Sequence, residues 1–287
     1  MPLRLGSAEF ADDHAVVMAI VNRTPDSFYD RGATFATDAA LRRLDEVVSH
    51  GAEIVDIGGV KAGYGPDVSA AEELERTRDF VIAVRQRYPD LVISVDTWRA
   101  EVADELCRAG ADLINDTWAG ADPEVLAVAA GHGAGLVCSH TGGLGPRTDP
   151  HRVGYDDVVA DVVQRVTELA DRAVAAGVRR DGILVDPTHD FGKNTRHSLE
   201  LTRRLDELVA TGWPVLVALS NKDFVGETLD LPTAERLPGT LAATAVSAWL
   251  GARVFRAHNV TETRQTLDMI ASIKGARPPA VSRRGLA

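Results

Sequence analysis

A (β/α)₈ barrel is the fold this sequence predicts, and three observations predict it. Short apolar, β-branched runs recur eight times along the chain, helix-forming segments separate each run from the next, and nearly every run ends on a polar or charged residue. Continuous rather than alternating hydrophobicity marks strands buried on both faces, as in a parallel sheet. The runs are Val16–Val21, Ile54–Ile57, Val92–Val95, Leu113–Ile114, Gly135–Cys138, Ile183–Val185, Val215–Leu219 and Val254–Phe255. Amphipathic stretches at Ala39–Ser49, Ala71–Arg87, Arg99–Arg108, Asp156–Ala175, His197–Ala210, Gly239–Leu250 and Thr261–Lys274 supply the helices. This alternation over 287 residues suits a closed barrel better than an open doubly wound sheet. No G-x-G-x-x-G follows the first run, so dinucleotide binding lacks its fingerprint.

Composition narrows the function. Hydrophobic residues make up 45% of the chain, which supplies a sizeable core, and the formal net charge of −11 opposes binding to a phosphate backbone. No apolar run approaches the roughly 20 residues that cross a bilayer. The segment Met1 to Asp13 has no apolar leader core. Cys107 and Cys138 fall inside an expected helix and strand, where two buried thiols suit a reducing compartment. The expectation is a cytoplasmic protein of one domain, residues 1–287, with no nucleic-acid or membrane partner. The polar stretch Gly142–Tyr155 reads as a surface insertion, and the Pro- and Arg-rich segment 276–287 as a flexible tail.

In a barrel the catalytic face lies at the C-terminal strand ends. Here those ends carry Asn22, Asp56, Asp96, Asn115 with Asp116, Ser139 with His140, Asp186, Ser220 with Lys222, and Arg256 with His258. One such residue is most simply a turn or cap former; the full set at one level is an active-site face. Asp96, Asn115 and Asp186 suit a heterocycle rich in N–H groups. Lys222, Arg256 and His258 suit a phosphate or diphosphate and follow the last two strands, where barrels often bind phosphate. Asn22 offers an oxygen to Mg²⁺. His189-Asp190 beside Asp186 is too poor in soft and imidazole ligands for zinc, and one or both of His132 and His140 read as structural. Trp98 and Trp118 follow two of the heterocycle residues and read first as packing.

These residues resemble dihydropteroate synthase across nearly the whole chain. The pieces are Asn22-Arg23-Thr24-Pro25-Asp26-Ser27-Phe28 and Ile93-Ser94-Val95-Asp96-Thr97, then Gly110-Ala111-Asp112-Leu113-Ile114-Asn115-Asp116. Asp186-Pro187 with Phe191-Gly192-Lys193, Leu219-Ser220 with Lys222, and Arg256 with His258 complete them. The resemblance implies a barrel, usually homodimeric, that binds 6-hydroxymethyl-7,8-dihydropterin pyrophosphate in folate biosynthesis. Asp96, Asn115, Asp186 and Lys222 would hold the pterin, and Asn22, Arg256 and His258 the diphosphate with its Mg²⁺. Lys222, Arg256 and His258 would serve catalysis, a dissociative transfer to p-aminobenzoate that expels diphosphate and needs charge stabilisation more than a strong base.

The departures from the family pattern are concentrated. G-G-E-S-T-R-P-G becomes Gly58-Gly59-Val60-Lys61-Ala62-Gly63-Tyr64-Gly65, S-R-K becomes Ser220-Asn221-Lys222, and D-P-G-F-G-F-G-K becomes Asp186-Pro187-Thr188-His189-Asp190-Phe191-Gly192-Lys193. Ser139 replaces a methionine, and Asn259 follows His258 in place of aspartate. Arg23, Arg31 and Lys61 are new cations in the altered loops, either substitutes for the lost arginines or solvated loop charges. Asp190 and Asp223 add negative charge near the mouth, either opposing a carboxylate substrate or lying harmlessly at the surface. Three readings follow: a divergent pterin binder in which the usual condensation fails, an active synthase with compensating loop residues, and a non-catalytic pterin- or folate-binding regulatory protein. A methyltransferase is disfavoured by Arg256 and His258, since methyl transfer releases no diphosphate.

Overall fold

The computed structural model describes residues 2–24, 37–61, 63, 65–148 and 153–285. The chain begins with a short antiparallel hairpin, β1 (Leu3–Leu5) and β2 (Ala8–Phe10). The barrel strands follow: β3 (Val16–Asn22), β4 (Ile54–Gly58), β5 (Val92–Asp96), β6 (Leu113–Asp116), β7 (Gly135–Ser139), β8 (Ile183–Asp186), β9 (Leu216–Ala218) and β10 (Val254–Ala257). All pair in parallel, in the order β8-β7-β6-β5-β4-β3-β10-β9. A bridge between Val185 and Val215, with Val185 N–H donating to the Pro214 carbonyl at 3.0 Å, brings the two ends together.

The helices run outside this ring: α1 (Thr37–Ser49), α2 (Ala70–Arg87), α3 (Ala100–Ala109), α4 (Val125–His132) and α5 (Val158–Ala175) cover the first part. Next come α6 (Thr195–Arg203), α7 (Leu205–Val209), α8 (Asp223–Leu229), α9 (Leu237–Leu250) and α10 (Val260–Ile273). Among the described residues no helix is long and apolar enough to cross a membrane.

Two periodicities sort the side chains. Along each strand alternate residues face inward, and the lower inward positions, Val16, Ile54, Val92, Leu113, Val137, Leu184, Leu216 and Val254, form one apolar cluster. Leu3, Leu5 and Phe10 of the hairpin belong to the same cluster, so the hairpin stoppers the barrel at its N-terminal end. Gly135 permits this approach: a Cβ there would lie 2.5 Å from Leu5 Cδ2 and 2.6 Å from the Gly182 carbonyl oxygen. Outward positions such as Val17, Val55, Ile93 and Cys138 join a second cluster with the helices. Cys107 and Cys138 are buried free thiols within it.

Each expected strand is present, most of them extended by a residue or two onto the polar ends, while β9 is shorter. The expected helix His197–Ala210 is broken: Arg204 leaves helical geometry at φ −107°, ψ 27°, and its guanidinium gathers Asp157, Glu200 and Glu207. Three further elements had no readable signal. Helix α4 is apolar on every side, so it lacks an amphipathic stripe. The hairpin strands are too short for a period, and α8 is a brief helix inside a loop. The stretch read as a surface insertion is tied down at its end, where the Tyr155 hydroxyl donates to the Gly192 carbonyl at 2.8 Å.

Leu5 is fully buried beneath the barrel. Leu5→Ala is expected to cost about 2–5 kcal/mol in urea unfolding, because the stopper cannot collapse into the space left.

Candidate functional site

Above the apolar layer the inward positions become polar. Strand register sets Asp56 beside Ser94, Gly58 beside Asp96, Asp96 beside Asn115 and Ser139 beside Asp186. Asp56 is fully buried and takes three donors: Ser94 Oγ at 2.5 Å, Asn115 Nδ2 at 3.2 Å and Arg256 Nε at 2.6 Å. Arg256 Nη2 reaches Asp96 Oδ2 at 2.9 Å, and Thr117 Oγ1 donates to the other Asp96 oxygen at 2.5 Å. One guanidinium from β10 therefore spans two carboxylates on β4 and β5. Burial opposes the charge on Arg256, but Asp56 and Asp96 outweigh it and hold the group protonated. Burial pushes the Asp96 carboxyl up to about 6, against the pull of Arg256 and with the help of Asp56.

Asn115 is buried, and with its amide nitrogen turned to Asp56 its Oδ1 has no hydrogen-bond partner. The amide orientation follows from the carboxylate, which accepts only. A buried acceptor without a donor costs about 1–3 kcal/mol, so this carbonyl is set up for a ligand N–H. Asp186 has Oδ1 bonded to the Thr188 N–H at 2.7 Å, and burial raises its carboxyl while the Lys222 ammonium acts against the rise. Lys222 donates to the His189 carbonyl and lies 4.7 Å from the centre of the Phe191 ring, with its own pKa lowered by burial. Phe191 meets Trp118 edge to face at 5.3 Å, and Trp118 meets Trp98 at 6.5 Å. The two tryptophans thus pack together along the rim.

Asn22 lies at the end of β3 opposite Gly58. A Cβ on Gly58 would sit 3.6 Å from Asn22 Oδ1 and 3.8 Å from Asp96 Oδ2, so the missing side chain leaves these oxygens facing one small space. His258 Nδ1 is 3.1 Å from Ser220 Oγ, which also accepts the His258 N–H. The nine positions Asn22, Asp56, Asp96, Asn115, Asp186, Ser220, Lys222, Arg256 and His258 all occupy the C-terminal end of the barrel.

The new loop charges divide. Arg23 does not project into the mouth: it is buried, donates from Nε to the Arg76 carbonyl at 3.2 Å, and stacks on Phe80 at 4.9 Å. It follows the inward Asn22, so strand alternation sends it outward against α2. Pro25 to Phe28, Arg31, Ala62 and Tyr64 lie outside the described residues. Lys61 is half-buried at the mouth. Asp190 is absorbed locally, accepting from Ser198 Oγ at 3.0 Å and from the Phe224 N–H at 3.2 Å, and Asp223 pairs with Arg236 at 2.8 Å.

His189 is buried with Nε2 3.1 Å from Thr202 Oγ1, and no group of three His, Cys, Asp or Glu among the described residues is placed to hold a metal. His132 pairs with Asp104 at 2.7 Å. His140 faces Asp161 at 2.7 Å, and burial pulls its pKa down to about 4, so His140 is built into the packing while His132 lies at the surface.

Sequence reading passed over Thr117, which anchors Asp96, and the role of Ser94 beneath Asp56. The inward alternation of β5 pointed to Ser94; Thr117 lies beyond the strand, where no period applies. Ser139, read as a lost apolar contact, ties the end of β7 to the loop after β6: its hydroxyl donates to the Asp116 carbonyl and accepts the Ala119 N–H at 3.0 Å. Lys193 likewise donates to the carbonyls of His140, Thr188 and Phe191, and so fixes the loop after β8 beneath the mouth.

Backbone geometry separates the two positions that have lost arginine. Asn221 is buried in the left-handed region (φ 57°), which asparagine tolerates. Gly63 has no positive φ, and among the described residues a Cβ there would meet only Lys61 Cε, at an ordinary 3.9 Å. Asn221→Arg is expected to lower stability by about 1–2 kcal/mol, and Gly63→Arg to change it by about 0.5 kcal/mol or less, both read from denaturant midpoints.

Residues 18–258 match the family model of pterin binding enzymes. A relative from Mycobacterium leprae described as inactive dihydropteroate synthase 2 is 61% identical over 281 residues, 96% of this chain and 97% of that one. The dihydropteroate synthase of Escherichia coli is 36% identical over 265 residues, 92% of this chain and 93% of that one. The crystal structure of Yersinia pestis dihydropteroate synthase with a sulfonamide complex superposes with a TM-score of 0.91 at 36% identity, covering 96% of this chain and all of the other. The matched span begins in β3 and ends at His258, so it takes in all nine polar positions named above at the C-terminal end of the barrel. The chain belongs to the family of pterin-binding enzymes.

Proposed function

We propose that the mouth binds a pterin diphosphate, such as 6-hydroxymethyl-7,8-dihydropterin pyrophosphate, and that the usual condensation with p-aminobenzoate does not run. The observation that carries the pterin reading is the unpartnered Oδ1 of buried Asn115, beside Asp96 in strand register and at the same end of the barrel as Asp186. The Asn115 carbonyl is an acceptor without a donor, and a pterin ring edge offers N–H and NH₂ groups. Lys222 supplies a cation above the Phe191 face, where a flat ring would slide beside it. The relatives named inactive dihydropteroate synthase 2 support the second half of the reading.

In this reading Lys222 steadies the bound ring, and Arg256 and His258 face the departing diphosphate. Arg256 is already held by Asp56 and Asp96, so a diphosphate shares a guanidinium whose two donating edges are engaged. That weakens the stabilisation Arg256 alone gives a leaving group. Mg²⁺ fits this site as a guest of the diphosphate: hard oxygen donors suit it, and the Asn22 amide oxygen beside Asp96 adds a protein ligand. When bound, the ion would offset negative charge on the diphosphate.

A homodimer belongs to the same reading. Val246 and Trp249 on α9, and Met269 and Ile273 on α10, are large apolar side chains between 46% and 60% exposed on two helices that pack together. Such a face suits a second copy of the chain. Two buried free thiols and the acidic surface suit a cytoplasmic protein without nucleic-acid or membrane partners.

Calorimetry with pterin diphosphate and Mg²⁺, followed by a diphosphate-release assay with p-aminobenzoate, is expected to show binding without turnover; steady turnover would overturn the second half, and no binding the first. Because Asp96 must be ionised to accept and burial places its pKa at about 6, pterin affinity is expected to fall toward about tenfold per pH unit below that value. Asp96→Asn flattens this profile, and a wild-type profile already flat across the range counts against Asp96 as a ligand. A Trp249→Glu, Ile273→Glu double variant is expected to sediment as a monomer where the wild type sediments as a dimer.

A further inference from the structure

The loop after β7 crosses the rim to the loop after β4. Arg147 Nη1 donates to the Pro66 carbonyl at 2.8 Å and Arg147 Nε to the Gly63 carbonyl at 3.2 Å. Carbonyl oxygens orient a guanidinium without neutralising it. No carboxylate among the described residues pairs with Arg147, and its Nη2 edge has no partner among them. Gly65 keeps that edge clear: a Cβ there would lie 2.8 Å from Nη2. Arg147 also holds a left-handed backbone (φ 59°), a strained conformation for a residue with a side chain.

A second cation reaches the same glycine. Lys61 Cε lies 3.9 Å from the position a Gly63 Cβ would take, and Lys61 has no ion pair among the described residues. Two positive groups thus flank Gly63 in a chain whose acids outnumber its bases, 42 to 31. Most of the other arginines near this rim are matched: Arg99 pairs with Glu73 and Arg76 with Glu72, while Arg256 pairs with Asp56 and Asp96. Adjacent like charges repel unless an anion lies between them, and a planar guanidinium with an open edge is shaped for an oxyanion.

We propose that Lys61 and Arg147 form an oxyanion seat at the rim, taking a carboxylate or phosphate group of whatever enters the mouth. The seat deepens the pterin-diphosphate reading and rests on it only for which oxyanion arrives. Arg147 belongs to a strand end far along the chain from Lys61, so the two cations are joined only by the crossing of the loops.

The test is titration of wild type, Lys61→Gln, Arg147→Gln and Arg147→Lys with inorganic diphosphate, with p-aminobenzoate, and with uncharged 6-hydroxymethylpterin. At least one oxyanion is expected to bind wild type about tenfold more tightly than either glutamine variant, with Arg147→Lys recovering most of the loss and the uncharged pterin binding all four alike. Sensitivity confined to diphosphate assigns the seat to the leaving group, and sensitivity confined to p-aminobenzoate to a second substrate. The proposal is overturned by wild type binding neither oxyanion, by glutamine variants that bind as wild type does, or by a loss in Arg147→Gln alone, which would reduce Arg147 to a strap between loops. A wild type that binds diphosphate but no pterin would sink the pterin reading and leave the seat in place.

Discussion

The ion bridge from Asp56 through Arg256 to Asp96 organises the centre of this barrel. Its members come from β4, β10 and β5, and β3 lies between β10 and β4, so the guanidinium ties strands that are not all neighbours. Removing water from charged groups is costly, and a buried pair is tolerated only when its remaining donors and acceptors are satisfied. Here Ser94, Asn115 and Thr117 complete the carboxylates. The Asn115 carbonyl is left over, a buried acceptor without a donor. Loss of one partner would strand a charge at the heart of the fold, so under the proposed function stability and ligand recognition rest on the same side chains.

That bridge also sets what Arg256 can offer. A cation shared between two fixed carboxylates is held in place but partly neutralised, so under the proposed function a leaving diphosphate would meet less positive charge than the residue count suggests. The rim then matters more than the centre. Of the new cations in the altered loops, Arg23 is consumed by packing against Phe80, while Lys61 remains at the mouth and is joined there by Arg147. The acids that sequence alone places nearby are equally consumed: Asp190 bonds Ser198 and the start of α8, and Asp223 pairs with Arg236.

The rewritten loops are therefore built rather than merely eroded. Asn221 occupies a left-handed turn whose carbonyl is held by Arg236 at 2.9 Å, and Ser139 joins the end of β7 to the loop after β6 through one hydroxyl. Each replacement has acquired a structural duty of its own. Restoring a family residue at such a position disturbs a turn or a cross-loop contact as well as adding a functional group. Divergence at this rim is thus coupled to the fold, which fits relatives that have kept the barrel while bearing the name of an inactive synthase.

The sequence by itself determined the barrel and the level at which its polar strand ends gather. Buried parallel strands are continuous apolar runs, and a polar residue that ends each run can only stand at the C-terminal rim. Strand alternation then separates Asp96 and Arg256, which face inward, from their outward neighbours. Helix α4 and the N-terminal stopper escaped because uniform apolarity and three-residue strands carry no period. Only the tertiary structure decided which charges pair. Arg256 with Asp56 spans most of the chain, Asp190 disappears into a helix start, and Arg147 meets Gly63 by the crossing of two loops. Periodicity is a property of neighbours along the chain, whereas ion pairing depends on distances that closing the barrel creates.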